Sequence, residues 1–108
     1  MGKASPLAED RASVVVTGAF TAVGVSESFQ ARGAGGFNYA QWGTASAKLV
    51  MERSFDGGDK WFPVTSLYRD DGVLIEFSEV VSEPESGVLY RVNCLSYTSG
   101  TANYRMSW

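Results

Sequence analysis

The chain has 108 residues, 44% of them hydrophobic and 19% charged, which excludes a disordered polar chain and suits one domain with one core. Its net charge of −3, with Lys and Arg scattered along the sequence, excludes the basic stripe that nucleic-acid binding needs. Cys94 is the only cysteine and histidine is absent, which excludes an intrachain disulfide, a cysteine-based metal site and a triad using His as base.

Residues 1–11 are small and polar, with Pro6, Glu9 and Asp10 in an alanine-rich context. They read as a flexible N-terminal arm, since they carry too little apolar surface to bury themselves, and they lack the apolar stretch of a signal peptide. Residues 12–108 read as a single domain. Val14-Val15-Val16-Thr17 is a β-branched run, and Val23, Val25 and Phe29 recur at even spacing as a second strand. Residues 31–36 are too rich in glycine for a strand interior and predict a loop. Phe37 and Tyr39 then share one face of a strand that carries Trp42 on the other.

Ala47, Leu49, Met51 and Phe55 share the apolar face of the next strand, opposite Lys48, Glu52 and Ser54. Arg53 falls on the apolar face near the strand end, where its stem packs and its head reaches water. Asp56-Gly57-Gly58-Asp59 then leads into Trp61-Phe62-Pro63-Val64. This predicts a β-hairpin, because glycines supply the positive φ angles of tight turns. Asp70-Asp71-Gly72 is a polar turn within 68–72, and Val73, Ile75 and Phe77 alternate with Leu74, Glu76 and Ser78 as a strand. Residues 82–87 form a connection that Pro84 bars from a central ladder. Val88, Tyr90, Val92 and Cys94 share one face, Thr98-Ser99-Gly100-Thr101 turns the chain, and Ala102, Tyr104, Met106 and Trp108 alternate again. The last two runs predict a second antiparallel hairpin. The whole is all-β, an antiparallel β-sandwich of about eight short strands.

The chemistry-bearing residues give no catalytic or cofactor constellation. Asp56, Asp59, Asp70 and Asp71 sit at turns, and no Glu completes the spacing of a calcium loop, so turn chemistry accounts for them. Cys94 lies on an apolar strand face, where a buried inert thiol is expected. Gly33-Ala34-Gly35-Gly36 lacks the following helix of a phosphate cradle. No cofactor and no metal are therefore expected. Trp42, Trp61, Phe62, Tyr68, Tyr97 and Trp108 can serve core packing, a sugar-stacking platform or a protein interface. Tyr68 and Tyr97, near turns and off the core parity, are the better surface candidates.

Three resemblances add to this. Ser54-Phe55-Asp56-Gly57-Gly58-Asp59-Lys60-Trp61 resembles the Asp-box of sialidase-like propeller blades, which implies a structural hairpin and no catalytic role. Tyr90-Arg91-Val92-Asn93-Cys94 followed by Gly100 and Tyr104-Arg105-Met106 resembles the final strands of immunoglobulin-like or fibronectin-like sandwiches. This implies an Ig-like topology, a jelly roll being the other arrangement considered. Over residues 25–108, Trp42-Gly43-Thr44, Leu49-Val50-Met51-Glu52-Arg53-Ser54-Phe55-Asp56-Gly57-Gly58, Trp61-Phe62-Pro63-Val64-Thr65 and Glu83-Pro84-Glu85-Ser86-Gly87-Val88-Leu89-Tyr90-Arg91 look like small virion proteins of tailed bacteriophages. That likeness implies a non-enzymatic capsid decoration (cement) protein. It would be made in the bacterial cytoplasm and located on the capsid surface. Its partner would be the major capsid protein, with self-association into trimers or other oligomers, and neither nucleic acid nor membrane would be bound. The alternative is a carbohydrate- or receptor-binding module of a phage tail or head fibre.

Overall fold

The computed structural model describes residues 14–32, 35–64 and 73–108, which are all-β and form two packed antiparallel sheets. The expected arm at 1–11 and the turn at 68–72 lie outside the described residues. The strands are β1 (Val15–Phe20), β2 (Gly24–Val25), β3 (Phe29–Gln30), β4 (Gly35–Gly43), β5 (Ser46–Ser54), β6 (Phe62–Pro63), β7 (Phe77–Glu83), β8 (Leu89–Ser99) and β9 (Ala102–Ser107).

The pairings nest. β1 pairs with β9, β2 and β3 both pair with β8, β4 pairs with β7, and β5 pairs with β6, all antiparallel. A long two-stranded ribbon folded at the β5–β6 turn gives this nesting. Rolling the ribbon brings β9 beside β4 and β8 beside β5. The result is one sheet ordered β1-β9-β4-β7 and another in which β2 and β3 share the edge of β8, followed by β5 and β6. With β2 and β3 counted as one interrupted strand, this is a jelly roll, one of the two topologies expected.

The expected hairpin between the last two runs does not form. β8 and β9 lie in different sheets, and the chain turns a corner at Gly100. The β4–β5 connection turns a matching corner at Gly43 and Thr44. The two corners are stitched together: the Thr44 and Ala45 amides donate to the Thr101 carbonyl at 2.9 and 3.1 Å, and the Thr101 amide donates to Thr44 Oγ1 at 3.2 Å. A Cβ on Gly43 would lie 2.2 Å from the Thr101 oxygen, and one on Gly100 2.5 Å from the Thr44 oxygen. Alternation of apolar residues is satisfied equally by a partner across a hairpin and by one across the core. It therefore does not decide where β9 goes.

The core lies between the sheets. Phe29, Phe37 and Tyr90 form an aromatic run with ring centroids 4.9 and 4.7 Å apart. Leu49, Met51, Val92 and Met106 complete it. Tyr104 stacks on Phe20 at 5.1 Å, over Gly18, which has no side chain to obstruct the ring. Burial of each large side chain contributes about 1.5–3 kcal/mol.

Several local expectations need correction. Val25 is exposed whereas Phe29 is buried, because the chain bends at Ser26 between β2 and β3. Ser26 Oγ there accepts the Val92 amide at 2.9 Å, taking over a position that a regular ladder gives to a carbonyl. Gly35 and Gly36 belong to β4 rather than to a loop; Gly36 lies so close to Val80 and the Val81 carbonyl that a Cβ would clash. Val73 and Ile75 are exposed, and the strand expected there begins instead at Phe77 and runs to Glu83. That strand is an edge of the first sheet.

Candidate functional site

The most elaborated surface is the end of the sandwich where β5 finishes and the ribbon turns. Here the chain must reverse between Ser54 and Phe62, and side chains hold the reversal. Ser54 Oγ donates to Asp56 Oδ1 at 2.8 Å and accepts the Gly58 amide at 2.9 Å. The same Asp56 oxygen accepts the amides of Asp59 and Lys60 at 3.1 and 3.0 Å. These bonds hold the Asp56 carboxyl below the usual carboxylate range, the Lys60 amide contributing most and the Ser54 hydroxyl next. Gly57 and Gly58 have φ of 78° and 104°, a region that side chains disfavour. Trp61 Nε1 donates to the Gly58 carbonyl at 2.9 Å and closes the loop. Asp56 is thus a structural acceptor, in line with the hairpin read from the sequence.

Three cations rest on aromatic rings around this tip. The Arg91 guanidinium lies 4.2 Å from the Trp61 ring centre, Arg53 lies 4.6 Å from Phe55, and the Lys60 ammonium lies 5.4 Å from Phe62. Arg91 Nε also donates to Glu52 Oε1 at 2.8 Å, and Asn93 Nδ2 donates to the other Glu52 oxygen at 3.3 Å. Trp61 is therefore riveted to the outer face of β5 and β8. Phe55 and Phe62 stand clear of that rivet. Their rings are 5.9 Å apart, and they are 49% and 43% exposed. The expectation that Phe55 shares the core face fails because β5 ends at Ser54, whose side chain turns inward to organise the tip.

Behind the tip, Glu83 bridges the two sheets. Its carboxylate is 1% exposed and accepts from Arg53 Nη2, from the Tyr90 hydroxyl at 2.8 Å and from the Glu85 amide at 3.0 Å. Burial raises the Glu83 pKa, but the bonds from Glu85, Arg53 and Tyr90 outweigh it, and the net direction is down. The Tyr90 hydroxyl is pushed up to about 12, by burial first and then by Glu83. With its donors committed, this carboxylate is a clamp between β7 and the second sheet rather than a proton acceptor for a substrate. Arg53 Nε is buried without a hydrogen-bond partner among the described residues, and the guanidinium plane is held by Glu83 and the Phe55 ring instead.

The remaining candidates disperse. Trp42, 39% exposed, lies on the outer face of the first sheet. Trp108 is partly buried and follows β9 at the same end as the tip. Tyr97 packs partly against the core, contrary to its expected surface role. A bulge that leaves Leu95 unpaired between Cys94 and Ser96 shifts the parity of β8, exposing Leu95 and turning Tyr97 inward. Cys94 is buried, with its thiol 3.4 Å from the Ser96 carbonyl, and burial pushes its pKa up. Tyr68, Asp70 and Asp71 lie outside the described residues, as do the first two residues of the Gly33-Ala34-Gly35-Gly36 stretch. No group of three or more Cys, Asp or Glu that could hold a metal occurs among the described residues.

The Glu83 clamp and the Trp61–Arg91–Glu52 rivet are not evident in the sequence. Their central pairs, Arg53 with Glu83 and Glu52 with Arg91, lie 30 and 39 positions apart, and only the nested pairing brings them together. No protein-family model matches the chain, and no curated protein or solved structure matches it either.

Proposed function

We propose that this chain is a non-enzymatic structural protein of a bacteriophage virion, a capsid decoration protein that binds the lattice of the major capsid protein. The observation that carries the proposal is the rigid aromatic tip. Phe55 and Phe62 are exposed side by side on a turn fixed by side-chain hydrogen bonds. Such a pair loses little conformational freedom on docking, and buried aromatic anchors dominate protein interfaces. Behind the tip Arg91 is paired with Glu52 and Arg53 with Glu83, while the Lys60 ammonium lies over Phe62, so the docking surface joins two exposed rings to a lysine. The jelly roll serves viral capsid domains and lectins alike, so it supports either role and selects neither.

The test is binding of purified protein to capsids that lack it. Wild-type protein should saturate at a fixed ratio to the capsid subunit. Phe55→Ser with Phe62→Ser should weaken binding by about tenfold or more while leaving the fold intact. Wild-type affinity in the double variant would remove the tip from the contact, and failure of the wild type to bind any capsid would defeat the proposal.

The second hypothesis, a carbohydrate- or receptor-binding module of a fibre, draws on Trp42. Its exposed ring stands beside the small residues Ala40 and Ser78 in a shallow hollow on the outer face of β4 and β7. Binding to a soluble glycan, lost in Trp42→Ala, without binding to capsids would favour it.

A further inference from the structure

A cavity of about 690 Å³ opens at the same end of the sandwich as the tip, bordered by Val14, Ser28, Gln30, Arg32, Ser86 and Trp108. Its walls are fixed by backbone. Val14 and Trp108 exchange two amide–carbonyl bonds at 3.0 and 3.1 Å, and the Ala31 amide donates to the Val88 carbonyl at 2.9 Å. The Trp108 indole is oriented by its own N–H, which donates to the Gln30 carbonyl at 2.8 Å. The Arg32 guanidinium lies 5.2 Å from the centre of that ring.

Arg32 differs from the other described arginines. Arg53 is paired with Glu83, Arg91 with Glu52, and Arg105 donates to Ser107. Among the described residues Arg32 has no hydrogen-bond or ion-pair acceptor, and its guanidinium faces the Trp108 ring. The side chains of Ser28, Gln30 and Ser86 likewise have no hydrogen-bond partner among the described residues. The cavity therefore presents a free planar cation, an aromatic ring, two hydroxyls and an amide.

We propose that this cavity binds an acidic saccharide, a sugar ring carrying a carboxylate. The carboxylate is the group that matches the guanidinium fork, forming two parallel charge-assisted bonds. The apolar face of a pyranose suits the Trp108 ring, and its hydroxyls suit Ser28, Gln30 and Ser86. The volume falls within the range of small-ligand sites, about 300–1,000 Å³, so it accommodates one or two sugar rings, whereas a single Asp or Glu side chain from a protein partner would leave most of it empty. The inference is independent of the capsid proposal, because the described lining of the cavity belongs to one chain and shares no residue with the Phe55–Phe62 tip.

The experiment uses the full chain in solution, with digalacturonate as probe and the Trp108 indole N–H as reporter in proton–nitrogen spectra, assigned by its loss in Trp108→Phe. Digalacturonate should move that signal saturably. Its neutral dimethyl ester should bind about tenfold more weakly or worse, and Arg32→Gln should weaken digalacturonate binding to the same extent. The absence of a saturable shift would overturn the proposal, as would equal affinity for acid and ester or unchanged binding in Arg32→Gln. Tighter binding of tetraglutamate than of digalacturonate would also overturn it, by assigning the cavity to a protein side chain. The acid–ester comparison on wild-type protein keeps the test decisive should Arg32→Gln fold poorly.

Discussion

Asp56 and Glu83 show how one carboxylate can hold a turn and another a seam in a chain of this size. Each accepts three hydrogen bonds, and each has its pKa lowered in the folded protein. Because the folded values lie below the unfolded ones, both groups contribute stability that is complete above the ordinary carboxylate range, about pH 4–4.5, and is lost as pH falls through the folded values. Urea unfolding from about pH 7 to about pH 3 should therefore show a midpoint that drops on the acid side, and a flat midpoint would contradict the two clamps. Tyr90→Phe removes one donor to Glu83 and should cost about 1.5–3 kcal/mol at neutral pH, with the cost shrinking once Glu83 is protonated. At the tip, Gly58→Val places a β-branched residue at a φ of 104° and should cost about 1–2 kcal/mol. Unchanged stability in that variant would show that the turn tolerates another conformation.

At the scale of elements, alternation read the strand interiors correctly and misjudged their ends and partners. The buried faces of β4, β5, β8 and β9 follow the expected parity through Phe37 and Tyr39, Leu49 and Met51, Tyr90, Val92 and Cys94, and Tyr104 and Met106. The errors fall where the ladder is irregular. The Leu95 bulge reverses the parity of Tyr97, the inward turn of Ser54 strands Phe55 outside, and Ser26 interrupts the second strand. Between Glu79 and Glu83 the sequence does not announce β7, because it is an edge strand. Its outer residues Ser78, Val80 and Ser82 meet solvent, and its innermost end buries a paired carboxylate, so its pattern resembles a loop. The corner between β8 and β9 looks like a hairpin turn in the sequence, since Gly100 serves either. The two readings make different predictions. In a simple hairpin turn Gly100→Ala would cost only the positive-φ strain. Here the new Cβ also meets the Thr44 carbonyl of the neighbouring corner, so a loss of about 2–4 kcal/mol is expected in denaturant unfolding. A cost below about 1 kcal/mol would contradict the stitched corners.

For the whole molecule, nested pairing explains why the candidate surfaces cluster. Rolling the ribbon carries its folded tip, the end of β9 and the β7–β8 connection to one end of the sandwich, and with them Phe55, Phe62, Trp61 and Trp108. The fold class was legible from period-two patterning. The cluster was not, because it depends on which strands become neighbours after rolling. Two proposed contacts, an apolar tip for a capsid lattice and a cationic aromatic cavity for an acidic sugar, would then share one pole, leaving the opposite corners to structural roles. Imaging purified virions at subunit resolution tests the proposed role most directly. A decoration protein should appear on the head surface in numbers that scale with the major capsid protein, with the pole carrying Phe55 and Phe62 against the lattice. Absence of the chain from the particle, or its confinement to a few copies at the tail, would contradict the assignment.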